Sequence, residues 1–204
     1  MNVHQMFDMQ LRNDFGSFLH RCFQTVNPGA PFYHNWHIEA IAAKRAGVQS
    51  GDVRRLIINM PPRYLKSLIV SIALPAFMLG HNPRAKIFVI RYGAELADKH
   101  ASDFKSIVTS GWYKRAFPKM RIARIHENEI VTTLRGFRKS TTVMGALTGL
   151  GGDLFIIDDP QKAGCLFGEQ AGKPQCLVHQ HVGVEARQQG KGSHHHRHAE
   201  GSPR

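Results

Sequence analysis

Apolar residues recur at helical spacing through the start of the chain. Val3, Met6, Phe7, Leu11, Phe15, Phe18, Leu19, Cys22 and Phe23 trace one face of an amphipathic helix over 3–25, which Asn27-Pro28-Gly29 ends. Trp36 to Ile41 predicts a short helix, and Gly47 to Asp52 a polar loop. The period then changes. Residues 55–60 are rich in Ile and Leu without alternation, the pattern of a strand buried on both faces. A helix follows Ser67, carrying Leu68, Ile69, Ile72, Ala73, Phe77 and Met78, and ends near Gly80-His81-Asn82-Pro83. Lys86 to Arg91 predicts a second buried strand, Ala94 to Ser110 a helix polar on one side, and Trp112 to Pro118 a short aromatic segment. Residues 121–144 read as antiparallel strand material, Gly145 to Gly152 as a glycine-rich loop, and Leu154-Phe155-Ile156-Ile157 as a third buried strand running into Asp158-Asp159-Pro160. Strands alternating with helices predict an α/β fold on an open, largely parallel sheet flanked by helices. Such sheets bind ligands beyond the carboxyl ends of their strands.

After Pro160 the character changes. Residues 161–204 hold six of the thirteen histidines, and only six of those 44 residues are Leu, Val or Phe. Too little apolar surface is present to offset the entropy of ordering, so the tail is expected to be disordered. It offers Cys165, Cys176, His179, His181, His194, His195, His196 and His198 as metal donors, but the spacing is loose for a structural zinc site and points to adventitious binding.

A formal net charge of +12 adds a polyanionic partner to the picture: nucleic acid, a membrane surface or a nucleotide. Six of the 27 Lys/Arg and three of the 15 Asp/Glu lie beyond residue 160, so the excess belongs to the foldable part as well. Three scattered cysteines are no disulfide framework and suit a reducing compartment. The first twelve residues lack an apolar run of signal-peptide length, and no stretch approaches the ~18 apolar residues of a membrane span, so a cytosolic protein is expected.

The segment with the most chemistry is Leu56 to Ser67: an apolar strand, a tight loop, then Lys66-Ser67 opening an apolar helix. Strand, loop, Lys-Ser and helix are the layout of a phosphate-binding loop, in which backbone N–H groups at a helix start face an anion. Lys66 would meet the β/γ-phosphates and Ser67 Mg²⁺. The pattern G-x-x-x-x-G-K-[ST] has glycines where this chain has Met60 and Leu65, and a buried strand with a Pro-Pro turn and a surface lysine would look similar. Leu154 to Asp159 has the form of a Walker B element, a strand delivering Asp158 to Mg²⁺ with Asp159 as a base for an attacking water. A strand ending in an ordinary Asp-Asp-Pro turn is the alternative. The two elements in one chain favour the nucleotide reading.

In order along the chain, Trp36-His37, Leu56 to Ser67, Leu79 to Pro83, Tyr92 to Ala97, Trp112-Tyr113, Phe117-Pro118, Leu147-Thr148-Gly149 and Leu154 to Pro160 resemble the ATPase domain of the large terminase subunit of tailed bacteriophages and prophages. Some branches of that family carry Pro-Pro-Arg-Tyr-Leu-Lys-Ser in the phosphate loop. The resemblance implies a P-loop NTPase of the additional-strand type, incomplete at the C-terminus. It divides the chain into an N-terminal helical segment (1–30), a partial ATPase domain (31–162) and a tail (163–204). It implies ATP and Mg²⁺ as cofactors, and double-stranded DNA, the small terminase subunit, the portal protein and further copies of the chain as partners. The setting would be the bacterial host cytoplasm. Carried over by position, Pro61, Pro62, Arg63, Tyr64, Leu65, Lys66 and Ser67 would hold the phosphates, Ser67 and Asp158 Mg²⁺, and Asp159 would be the catalytic carboxylate. Arg63 resembles a basic loop residue acting on the γ-phosphate, against a plain surface arginine. Trp36 and His37 resemble a segment on or near adenine, against core packing for Trp36. Tyr92 stands where related motors couple nucleotide to movement, against an edge aromatic.

Phe137, Met144 and Leu150 depart from the family's pattern, and its further strands, coupling motif and RNase H-like nuclease have no counterpart after Lys162. The break looks like a shifted reading frame or a truncated prophage gene. Arg115, Lys119, Arg121, Arg124, Arg135, Arg138 and Lys139 are candidate DNA contacts, against a solvated basic face. Two other functions remain open: a basic nucleic-acid-binding module without nucleotide chemistry, and the inactive product of a degraded prophage gene.

Overall fold

The computed structural model describes residues 2–142, 151–159 and 180–186. Most of the glycine-rich loop, with Met144, Leu147-Thr148-Gly149 and Leu150, lies outside the described residues, as do Pro160, Cys165, Cys176, His179 and His194 to His198. Among the described residues no helix is long and apolar enough to cross a membrane.

The N-terminal periodicity yields two helices, not one: α1 (Val3–Asn13) and α2 (Phe15–Val26). Asp14 separates them with extended backbone, and its carboxylate accepts from the N–H groups of Gly16 and Ser17 at 3.3 and 2.7 Å. An aspartate satisfies a helix start better than it serves a helix interior. Nor do α1 and α2 stand apart from the rest. Leu11, Phe15, Phe18, Leu19 and Cys22 share one core with Ile69, Phe77, Phe104 and Trp112. Helix α3 (Trp36–Ser50) runs through the expected loop and stops at Gly51, whose φ of 83° is the left-handed stop that glycine accepts without strain.

Strand β1 (Arg55–Met60) leads through the 61–65 loop into a continuous helix: a π segment (Leu68–Ala73) and then α4 (Leu74–His81). There follow β2 (Lys86–Arg91), α5 (Ala94–Thr109), α6 (Gly111–Ala116), β3 (Ile122–Ile125), β4 (Glu129–Thr132), β5 (Phe137–Thr142), β6 (Leu154–Asp158) and β7 (Gln180–Ala186).

The seven strands form one sheet in the order β1-β7-β6-β2-β5-β4-β3. The expectation of a largely parallel sheet is corrected to a mixed one. β2 is parallel to β5 and β6, and every other pairing is antiparallel. Two causes are visible. β3, β4 and β5 are joined by tight connections that admit only antiparallel pairing, and β5 then lies parallel to β2 on its other side. The second cause is β7. The tail was expected to be disordered, yet residues 180–186 run between β1 and β6, antiparallel to both. His181-Val182-Gly183-Val184-Glu185 alternates over too short a span to register as a period, but the strand offers backbone partners to two facing edges at once. With β7 inserted, β1, β6 and β2 still point the same way, so their carboxyl ends share one edge of the sheet.

All the described helices contribute to the core on one face, where Ile87, Val89, Leu154 and Ile156 meet them. On the other face Phe88 lies against Phe155, stacked at 5.2 Å, and Phe137, edge-on at 5.1 Å. β1 was expected to be buried on both sides. It is the outermost strand, so Leu56 and Ile58 pack toward the helices while Ile57 is 74% exposed.

Candidate functional site

The loop after β1 takes up the tight geometry that glycines usually serve, without glycine. Arg63 and Leu65 have φ of 70° and 61°, and the Ile69 N–H bonds the Leu65 carbonyl at 2.9 Å as the helix begins. A side-chain-bearing residue in the left-handed region costs roughly 1–2 kcal/mol. Leu65 recovers part of that by packing against the core. Arg63 is exposed. Arg63→Gly is therefore expected to stabilise the fold by about 0.5 kcal/mol, less than the relieved strain because glycine enlarges the unfolded ensemble. The urea midpoint checks it.

Beyond that loop the chain gathers charge below its surface. Lys66, only 2% exposed, places Nζ 2.7 Å from Asp159 Oδ1 and 3.3 Å from Asp158 Oδ1. Asp158, at the end of β6, is fully buried and accepts from the Ser71 hydroxyl at 2.8 Å through Oδ2. Asp159 follows with φ of 50°, which turns the chain sharply at the strand end. Register explains the next partner. Arg91, last in β2, lies beside Asp158 in the parallel pair, and its Nη2 is 2.8 Å from Asp158 Oδ2, 3.7 Å from Asp159 Oδ2 and 3.3 Å from Ser67 Oγ.

A polar shell from the helices supports this cluster. Ser67 and Ser71 are one turn apart and reach Arg91 and Asp158. Pro75 has no N–H to offer the Ser71 carbonyl, and buried Arg138 donates to it at 3.3 Å. Arg138 also donates to Ser140 Oγ at 2.7 Å and lies over the Phe104 ring at 5.0 Å. Burial, with Arg91 nearby, lowers its guanidinium to about 9, which leaves it charged at neutral pH. Arg91 Nη1 meets the His100 ring at 3.0 Å. Burial first, and then the Arg91 charge, press His100 down to about 3, so its imidazole is neutral at pH 7. Two cations, Lys66 and Arg91, thus meet the two carboxylates, and Arg138 adds a third positive charge near Arg91. The surplus is positive, at a helix start where the backbone also favours an anion.

Magnesium, implied by the resemblance, can be tested against the donors present. The described residues contain no cluster of three His, Cys, Asp or Glu side chains. The available set is a hydroxyl and two carboxylates, all hard oxygens, which suits a cation that keeps waters and borrows phosphate oxygens. Ser67, Asp158 and Asp159 fit that role. When bound, the metal would neutralise phosphate charge.

The structure brings together Lys66, Ser67, Asp158 and Asp159, four residues singled out in the sequence. Pro61, Pro62, Arg63 and Tyr64 form the exposed rim of the loop. Arg63, named as a catalytic candidate, makes no ion pair among the described residues. Trp36 and His37 sit at the Tyr64 side of the loop. Trp36 is 76% exposed, which removes the core-packing reading, and it meets His37 at 6.2 Å, whose ring stands edge-on to Tyr64 at 5.5 Å. Tyr92 is half exposed, and its N–H donates to the Asp159 carbonyl at 3.3 Å. Sequence reasoning missed Ser71, Arg91 and His100. For Arg91 a signal existed: a charge closing the apolar run Ile87 to Ile90, at the strand end where such sheets place their ligands.

The basic residues divide. Arg138 is buried and engaged, so it is no DNA contact, whereas Lys114, Arg121 and Arg124 line one surface cleft with Met120 and Ile122. No family model, curated protein or solved structure matches this chain.

Proposed function

We propose that the chain binds a nucleoside triphosphate with Mg²⁺ at the 61–67 loop. We further propose that it is an ATPase domain of the terminase large-subunit kind, which in an intact member of that family couples hydrolysis to the movement of double-stranded DNA. The observation that carries the reading is the meeting of Lys66 and Ser67 with Asp158 and Asp159, 93 positions from Lys66 to Asp159, at the common carboxyl edge of β1 and β6. In this reading Lys66 exchanges its carboxylate partners for the β/γ-phosphates, and the amides at the helix start hold the phosphate oxygens. Asp159, released from Lys66, then accepts a proton from water attacking the γ-phosphorus, and ADP departs with inorganic phosphate. Trp36, His37 and Tyr64 offer aromatic surface at the loop's rim to a base.

A titration with a fluorescent ATP analogue tests the site. Saturable binding that requires Mg²⁺ and weakens at least about tenfold in Lys66→Ala is expected. Affinity unchanged by that substitution, in a variant that still melts cooperatively, would reject the loop as the site.

The cleft lined by Lys114, Arg121 and Arg124 favours a second reading, a basic nucleic-acid-binding surface. DNA binding that falls steeply with salt and ignores ATP is its signature.

A further inference from the structure

Arg91 was not part of the phosphate-loop pattern, yet it stands at the centre of the site. Its Nη2 is within 3.7 Å of three hard oxygens: Asp158 Oδ2 at 2.8 Å, Ser67 Oγ at 3.3 Å and Asp159 Oδ2 at 3.7 Å. These oxygens are the ones that fit Mg²⁺. A guanidinium nitrogen carrying positive charge is therefore lodged among the donors that a divalent cation would use. The same guanidinium reaches His100 on α5 through Nη1 at 3.0 Å. That partner is a neutral ring, so it holds the arginine by a hydrogen bond without competing for its charge. The groups facing Arg91 include Asp158, Asp159, Ser67 and His100, with the Lys66 ammonium on the far side of the same carboxylates and the Arg138 charge nearby.

We propose that Arg91 is a built-in counter-cation that holds the metal position of the nucleotide site, so that Mg²⁺ enters only as Arg91 withdraws from Ser67 and the two carboxylates. The inference rests on the reading of Ser67, Asp158 and Asp159 as the metal side of a phosphate site. Arg91 Nη2 and a metal ion cannot occupy one position: a guanidinium nitrogen 2.8 Å from Asp158 Oδ2 and 3.3 Å from Ser67 Oγ fills the space against these oxygens and repels a second cation there. Without nucleotide, Arg91 compensates the carboxylates and keeps the site from collecting metal. With nucleotide, the phosphate oxygens supply further negative charge, which can hold Mg²⁺ in place and receive the displaced guanidinium. Withdrawal of Arg91 breaks its contact with His100, so metal entry is felt at the end of β2 and in α5.

The test uses the full chain and two substitutions. Arg91→Met keeps the aliphatic stem and removes the charge. Arg91→Lys keeps the charge that Asp158 needs for folding but lacks the second nitrogen that reaches His100. The first measurement is the Mg²⁺ concentration giving half-maximal binding of a fluorescent ATP analogue. It is expected to fall about tenfold in Arg91→Met, and in the same direction by less in Arg91→Lys. The second is thermal melting with Mg²⁺ alone. The unmodified chain is expected to be indifferent to the metal, and Arg91→Met to gain melting temperature as Mg²⁺ concentration rises. A Mg²⁺ midpoint that is unchanged or raised in either variant overturns the proposal, as does stabilisation of the unmodified chain by Mg²⁺ alone. If the unmodified chain binds no nucleotide, the phosphate-site reading fails, and the melting measurement still decides whether Arg91 occupies a metal position.

Discussion

Asp158→Ala is expected to cost the fold roughly 3–5 kcal/mol, one of the largest single losses the chain can suffer. Asp158 is fully buried between two buried cations, 3.3 Å from Lys66 Nζ and 2.8 Å from Arg91 Nη2, and it also accepts the Ser71 hydroxyl. Removing it leaves both cations to share Asp159, which is partly exposed, and strands the serine. Breaking one side of a buried ion cluster costs roughly 3–5 kcal/mol, against a total of about 5–15 kcal/mol for a domain. Asp158→Asn keeps one acceptor oxygen but turns the other into an NH₂ donor facing a cation, so it should recover only part of that loss. Urea unfolding followed by circular dichroism measures both. An unfolding free energy for Asp158→Ala within about 0.5 kcal/mol of the parent's would show that the cluster contributes little to stability.

The second large effect is steric. Gly136 turns the chain into β5 against the connection that enters β2. A Cβ there would collide with the Pro83 carbonyl oxygen and come within 2.6 Å of the Arg84 carbonyl carbon and 2.7 Å of the Ala85 oxygen. All three are backbone atoms, which cannot rotate away as a side chain does. The Gly136 N–H also donates to Thr132 Oγ1 at 3.1 Å, and Thr132 Oγ1 in turn bonds the Pro83 carbonyl, so the turn cannot shift without breaking that chain. Gly136→Ala is expected to cost about 3 kcal/mol, the upper end of overpacking. Gly93→Ala is the control. Its Cβ meets nothing within 4 Å, and it should change stability by less than about 0.5 kcal/mol in the same denaturation experiment.

The elements legible in the sequence were those whose burial is uniform along a whole segment. β2 and the helix after Ser67 lie in the core, so continuous apolar runs located them. The break at Asp14 was not legible as a break, because apolar spacing continues across it and only the capping bonds distinguish a stop from a polar face. α3 outran its apolar stripe for the opposite reason: few of its residues are buried, and its end is set by Gly51. β7 is two valines in a polar tail, and its place depends on vacant edges that no local pattern reveals. In the site, Lys66, Ser67, Asp158 and Asp159 could be picked out because they close apolar strands or open apolar helices. Arg138 was misassigned to the surface because charge alone suggests exposure. Its burial is compensated by Ser140, the Ser71 carbonyl and the Phe104 ring, contacts made across the fold. Ser71 and His100 carry no signature at all until Asp158 and Arg91 are placed beside them.

The π segment gives one helix two rotational phases. Upstream of and within it, Lys66, Ser67 and Ser71 turn toward the strand ends. Downstream, Phe77 meets Phe15, Phe18 and Phe117 in the aromatic core. A helix of uniform pitch would commit both ends to a single stripe, and a core packed as tightly as this one would then dictate where the lysine points. Six residues of wider winding separate the two demands. Both ends are held: all six residues from Leu68 to Ala73 are buried, so the wider winding is itself locked by the core, and the phase that brings Ser71 to Asp158 is set by the packing around it.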